Sequence, residues 1–289
     1  MNTEKIALHV SIVTIIGNLF LTLIKFFAGF FGHSSALISD AIHSASDVLS
    51  TLVVIVGVKL SNKEEDELHP YGHERLECVA ALILAIMLGI TGIGIGSAGI
   101  NMILKGNESL IIPSTITWIV AIISIVSKEA MYWYTRIAAK KINSGALLAD
   151  AWHHRSDALS SIGSLIGIIG AKSGFPILDP IASIIICLFI LKVAYDIFKD
   201  AIAKMVDHAC DQKTINLITE MVHDKKEVLN IDDLKTRLFG NKIYIDMEIS
   251  MDKNASLFDT HQVAQEIHDT IENTIPEVKH CMIHINPGN

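Results

Sequence analysis

The sequence predicts an α-helical membrane protein: six transmembrane helices forming inverted three-helix repeats, followed by a small α+β domain ordered α-β-β-α-β. Three observations carry that expectation. Apolar residues make up 51% of the 289 positions, more than an ordinary soluble domain uses. Apolar runs of roughly 20 residues, enough to cross a hydrocarbon core of about 30 Å, recur along the first two thirds of the chain. The stretch DAIHSASDVLS, starting at Asp40, returns as DAWHHRSDALS from Asp150, in register at Asp, Ala, His, Ser, Asp, Leu and Ser.

The expected spans are Ile6 to Phe31, Ala36 to Leu60, Cys78 to Leu104, Ile116 to Ala139, Ala146 to Ala171 and Ile177 to Phe198. The first is read as a span rather than a cleaved signal, because its apolar stretch is too long and lacks a small-residue cleavage site. Lys5, Lys59, Lys63, Arg75, Arg136, Lys140, Lys141, Lys199 and Lys204 would fall on one side, and Lys105 and Lys172 on the other. The positive-inside rule then places both termini in the cytoplasm of a multi-pass cell-membrane protein.

Residues 1–200 are thus expected as a six-helix transmembrane domain and 201–289 as a cytoplasmic one. In the second, helix Gln212 to Lys225, strands Asp232 to Leu238 and Lys242 to Met251, helix Leu257 to Asn273 and strand Lys279 to Ile285 follow in order. Gly240-Asn241 marks a hairpin between the first two strands, and Tyr244, Asp246 and Glu248 alternate with Ile243, Ile245 and Met247. The net charge of −8 lies mainly in this tail and in the EEDE run from Glu64, with no basic stripe, which argues against a nucleic-acid partner. Cys78, Cys187, Cys210 and Cys281 show no C-x-x-C spacing and are expected as free thiols.

Residues four apart on a helix share a face, about 6 Å apart along the axis. His43 and Asp47 therefore point the same way, as do His153 and Asp157. The second and fifth spans cross the membrane in opposite senses, the arrangement of an inverted repeat, so His43 lies level with Asp157 and Asp47 with His153. One reading is polar glue between helices. The other starts from cost: an unpaired charge at the bilayer centre costs about 3 kcal/mol on insertion scales. With no Lys or Arg read at comparable positions, and Arg155 on another face, the two carboxylates ask for a cation. Two Asp and two neutral His neutralise a divalent metal and give it the four N/O ligands that suit zinc. Asp40 and Asp150 lie one turn before each His, either to orient an imidazole or as hydrated cavity residues. His154, about 100° around the helix from His153, is not placed among the ligands.

Between the second and third spans, EEDELHPYGHERLE sets Asp66, His69 and His73 at a spacing that can close on one metal if the segment turns at Pro70; the alternative is a solvated acidic loop. The tail holds Asp232, Asp246, His261, His268, His280 and His284, either further metal ligands or surface residues.

Together, six spans, His/Asp pairs in the second and fifth, the HPYGHERLE loop and the tail resemble the cation diffusion facilitator family, in its bacterial zinc and iron exporter branch. The resemblance implies a homodimer embedded in lipid, each protomer carrying metal at His43, Asp47, His153 and Asp157, with a loop site at Asp66, His69 and His73. It places Arg75 and Asp207 as a charge pair locking the spans to the tail. In the tail, Asp232 and Asp246 stand where the branch has histidines, His261 and His284 match, and Asn286 stands where an Asp is expected. That oxygen-rich set favours a harder ion such as manganese or iron, whereas His/Asp in both spans resembles the zinc-preferring members.

The implied activity is Zn²⁺/H⁺ antiport by alternating access, with Mn²⁺, Fe²⁺, Cd²⁺ or Co²⁺ as alternative cargo, and neither an organic cofactor nor an enzymatic reaction. Two rivals come from other classes. An intramembrane metallohydrolase would need an open ligand position and a spare general base, and no H-E-x-x-H is present. A non-transporting metal sensor leaves the repeated mid-membrane tetrad without a role.

Overall fold

The computed structural model describes the backbone of residues 3–31, 35–105, 115–172, 175 and 177–288. Within these helices the side chains at 35–40, 43, 46, 105, 115–118, 164, 165, 167–172 and 179 lie outside the description, among them those of Asp40 and His43. Chain contacts divide the protein into two units, Met1–Ala201 and Ile202–Asn289.

Six long helices build the first unit: α1 (Thr3–Phe31), α2 (Ser35–Ser61), α3 (Arg75–Lys105), α4 (Thr115–Lys141), α5 (Gly145–Lys172) and α6 (Leu178–Met205). Their polarity is reversed relative to a soluble bundle. On α1, Ser11, Thr14, Asn18 and Lys25 are buried while Ile12, Ile16, Phe20 and Phe27 are exposed. A helix that turns its polar stripe inward and its aliphatic one outward suits a hydrocarbon surround. Among the described residues, Thr3–Phe31, Arg75–Leu104 and Pro180–Met205 are long and apolar enough by composition to cross a membrane. The other three expected spans are the helices that carry Asp47, Lys128, Asp150, His153 and Asp157, and those charges lower their hydropathy.

Helix α5 packs against α4, α3 and α2, and α1 against α2 and α4, so α2, α4 and α5 share one interior. Two devices set this packing. Asn143, in the left-handed region at φ 52°, ends α4, and the Ser144 N–H bonds back to the Ala139 carbonyl at 2.9 Å. Ser144 Oγ then accepts from the Leu147 N–H at 3.2 Å, capping α5 and folding it straight back along α4. On α3, a Cβ at Gly99 would lie 3.0 Å from Ser183 Cβ and from the Pro180 carbonyl, so glycine permits the close approach of α6.

The second unit runs α7 (Gln212–His223), β1 (Val228–Phe239), β2 (Lys242–Asp252), α8 (Leu257–Thr274) and β3 (Val278–Gly288), the expected α-β-β-α-β order. Asp211 accepts from the Thr214 N–H at the start of α7, and Ser256 from the Asp259 N–H at the start of α8. The sheet order is β1-β2-β3, with β1 antiparallel and β3 parallel to β2. Gly240, at φ 65°, turns the hairpin and pairs Phe239 with Lys242. Alternate residues of β2, Ile243, Ile245, Met247, Ile249 and Met251, form the core with Ile218 and Val222 of α7 and Ile267 and Ile271 of α8. Strand β1 starts earlier than the expected Asp232, because register shifts between Val228 and Asn230 and between Ile231 and Asp233 break the alternation that marks a strand. All four cysteines are free.

Ile249 is fully buried at the centre of this core. Ile249→Ala is expected to cost the tail about 2 to 5 kcal/mol, visible by hydrogen-exchange mass spectrometry as faster exchange in β1, β2 and β3.

Candidate metal centres

The interior shared by α2, α4 and α5 holds four ionisable groups in contact. Lys128 of α4 donates from Nζ to Asp47 Oδ2 of α2 at 2.5 Å and to Asp157 Oδ2 of α5 at 2.9 Å. His153, one turn before Asp157, places Nε2 3.4 Å from Asp47 Oδ1. None of the four is more than 8% exposed. Ligand atoms of Asp47, His153 and Asp157 all lie within 4.8 Å of one another, close enough to share one ion. The inverted repeat predicted that Asp47 meets His153, and the contact has that form. The His43 side chain lies outside the described residues.

Lys128 corrects the expectation that no Lys or Arg stands at a comparable position. Its signal in the sequence is a lone lysine at the end of the apolar run WIVAIISIVSK. It lies midway along the expected span, and its four-carbon stem carries the ammonium inward. Lys25 of α1 is also buried, donating to Ser44 Oγ at 2.8 Å. A cavity of about 70 Å³ opens beside these groups, lined further by Ser124, Ser160 and Ser161, with room for more than one water molecule. Arg155 is held elsewhere, its guanidinium 4.4 Å from the Tyr132 ring centroid and 3.4 Å from Glu129 Oε1.

Asp150 is fully buried and engaged with α2 and with the neighbouring histidine. It accepts from Ser50 Oγ at 3.4 Å and Thr51 Oγ1 at 3.3 Å, and its Oδ2 lies 3.6 Å from His154 Nε2. It therefore ties the α2–α5 seam one turn from the ion pair. Asp40 has its side chain outside the described residues.

The loop residues do converge. His69 Nδ1 lies 3.0 Å from Asp66 Oδ1 and His73 Nε2 3.4 Å from Asp66 Oδ2, and the ligand atoms of all three lie within 4.8 Å of one another. Lys63 donates to Asp66 Oδ2 at 2.6 Å. Hydrogen bonds from Lys63 and then His69 hold the Asp66 carboxyl well below the usual carboxylate range.

In the tail, Asp232 accepts from Ser250 Oγ at 2.5 Å and from Asn286 Nδ2 at 3.0 Å, and these bonds, with one from Asn230, lower its pKa. Asn286 also donates to Glu248 Oε2 at 3.2 Å, and Glu248 pairs across the sheet with His284. Asp246 is exposed and pairs with Lys235 and Met282, and His261 is exposed on α8. Among the described residues Asp232, Asp246, His261 and His284 do not close into one three-ligand cluster. Glu248, which the alternation of β2 put on the same face as Asp246, is the residue overlooked there. Arg75 opens α3 in the first unit, and Asp207 follows α6 at φ 59° in the second.

The cation efflux transmembrane domain matches residues 11–206, and the cytoplasmic domain of cation efflux proteins matches residues 210–288. The chain belongs to the cation efflux family, the cation diffusion facilitators. It is 37% identical to a transporter of Methanocaldococcus jannaschii over 95% of its own length and 96% of the relative's. It is 32% identical to the manganese efflux system protein MneP of Bacillus subtilis, covering 98% and 97% of the two chains. It is also 32% identical to the magnetosome protein MamB of a Magnetospira species, covering 90% and 88%. This cation diffusion facilitator is a multi-pass membrane transporter of metal cations, not an enzyme.

Removing one partner of a buried ion pair costs about 3 to 5 kcal/mol, because the remaining charge is uncompensated. Lys128→Met should therefore lower the melting temperature of the purified transporter, and a divalent cargo ion should recover more of it than the same ion adds to wild type. Equal metal-induced shifts in the two proteins would remove Lys128 from the site's charge balance.

Proposed function

We propose that the transporter exports a divalent transition-metal ion, with zinc as its cargo, in exchange for protons. The observation that supports this most is that Asp47 and Asp157 hold one buried ammonium while His153 stands against Asp47, the ligand atoms of all three within 4.8 Å of one another. A place that two carboxylates hold open for a monovalent cation is a place for a divalent one. The ion would take the position of Lys128 Nζ, with His43 as fourth ligand by the repeated motif, an N/O set that suits zinc. Imidazole exchanges protons near neutral pH, so protons arriving from outside can displace the metal and return the carrier. The two carboxylates then fall back on Lys128.

In this reading the protein is a homodimer with both termini in the cytoplasm, working by alternating access in the lipid bilayer. Asp66, His69 and His73 take a second ion at the loop. Of Asp232, Asp246, His261 and His284, only Asp232 and His284 stand together, joined through Asn286 and Glu248, and these would form the tail site, the tail regulating and pairing the protomers. Asp40 and Asp150 support the helices behind the tetrad, and Arg75 with Asp207 ties the membrane domain to the tail. A manganese cargo is the second reading, favoured by the manganese efflux relative and by the oxygen-rich tail; Fe²⁺ and Cd²⁺ follow the same donor logic.

Flux of Zn²⁺, Mn²⁺ and Fe²⁺ into proteoliposomes under an imposed proton gradient tests the proposal. Zinc should move fastest, and Asp157→Ala should lower its flux at least about tenfold. Manganese flux without zinc flux would replace the cargo; equal flux in wild type and Asp157→Ala would remove the tetrad as the transport site.

A further inference from the structure

We infer a further divalent-metal site in the tail, at His268 and Glu272 of α8 and His280 of β3. It uses none of Asp232, Asp246, Glu248, His261 and His284 and does not depend on which ion the membrane unit carries. His268 and Glu272 stand one turn apart, and ligand atoms of the three residues all lie within 4.8 Å of one another. His268 Nε2 is 3.2 Å from Glu272 Oε1, and His280 Nδ1 is 3.8 Å from the same oxygen.

The backbone of Cys281 settles the tautomer. His268 Nδ1 lies 2.8 Å from the Cys281 carbonyl oxygen, which can only accept, so Nδ1 carries the hydrogen. Nε2 is left as the nitrogen that meets Glu272. A bare Nε2 lone pair against a carboxylate oxygen is repulsive unless a proton or a metal ion lies between them. The carboxylate is itself fixed by the Cys281 N–H, which donates to Glu272 Oε1 at 3.2 Å. One residue of the edge strand thus orients two prospective ligands. An imidazole locked through its other nitrogen to a carbonyl is the usual support of a metal-bound histidine.

These contacts also satisfy the edge of β3, and that duty accounts for His268 Nδ1 and for one oxygen of Glu272. It does not account for His280, whose ring also meets that of Tyr244 edge-on at 6.5 Å. His280 enters from a neighbouring position after a register shift in β3 and turns its ring to 5.9 Å from that of His268. The Cys281 thiol is no ligand here: it is buried in the sheet core, which pushes its pKa up to about 12. The side chains of His268, Glu272 and His280 are 26%, 30% and 48% exposed, open enough for an ion to enter and for water to complete its shell. Two imidazoles and a carboxylate select a borderline ion such as Zn²⁺, Co²⁺ or Ni²⁺ over Mg²⁺ or Ca²⁺. A bound ion would pin the second half of α8 to the sheet edge.

The test is zinc content and Co²⁺ absorption of the full chain in detergent, for wild type, His280→Ala, Glu272→Gln and Asp157→Ala. His280 is exposed, so its truncation spares the fold, and Glu272→Gln keeps an acceptor for the Cys281 N–H. Each of these two variants should lose about one zinc per chain, with affinity at this site weakened at least about tenfold. Asp157→Ala should keep this ion whatever it does to transport. Zinc content and Co²⁺ spectra unchanged by both tail substitutions would overturn the site.

Discussion

An ammonium group held between two buried carboxylates organises the membrane unit. Burying an isolated ion costs several kcal/mol, and only close pairing recovers it. Lys128 brings α4 to Asp47 of α2 and Asp157 of α5 at once, so three helices meet where none could bury its charge alone. A second buried ammonium, that of Lys25, lines the same cavity. His153 lies against Asp47 on the remaining side. Two carboxylates and an imidazole gathered in one place suit a divalent ion, and an ammonium or a proton can take its place.

The loop repeats the device in a wetter setting. Lys63 stands against Asp66 as Lys128 does against Asp47 and Asp157, and two imidazoles flank the carboxylate. In both places lysine holds the carboxylate where a metal would. The two differ in exposure: Asp66 and His69 reach solvent, whereas the membrane cluster is buried beside a small cavity lined in part by hydroxyls. A solvated loop carboxylate gains little from its lysine. The enclosed pair gains much more and has to be undone by whatever ion enters.

Much of this was legible in the sequence. Hydropathy and turn chemistry located the six helices and the α-β-β-α-β tail, and the doubled motif named Asp47, His153 and Asp157 as partners before any contact was seen. Lys128 escaped although it stands midway along the expected fourth span. The repeated motif points to the second and fifth spans, and a lone lysine does not show which face of its helix it takes. His154 and Asp150 escaped as a pair because four-residue spacing shows a shared face and not what that face meets. In the tail, the bulges of β1 hid its first residues. The grouping of His268, Glu272 and His280 depends on a helix crossing an edge strand, which no spacing encodes.

The most direct test of the central claim is a structure of the full-length transporter, in lipid and loaded with its cargo ion, with the ion located by its anomalous signal or density. With zinc bound, an ion should lie about 2.0 to 2.2 Å from oxygens of Asp47 and Asp157 and from a nitrogen of His153, and Lys128 Nζ should have withdrawn beyond hydrogen-bond distance of both carboxylates. Lys128 still bridging Asp47 and Asp157, with the ion bound elsewhere in the membrane unit, would contradict it.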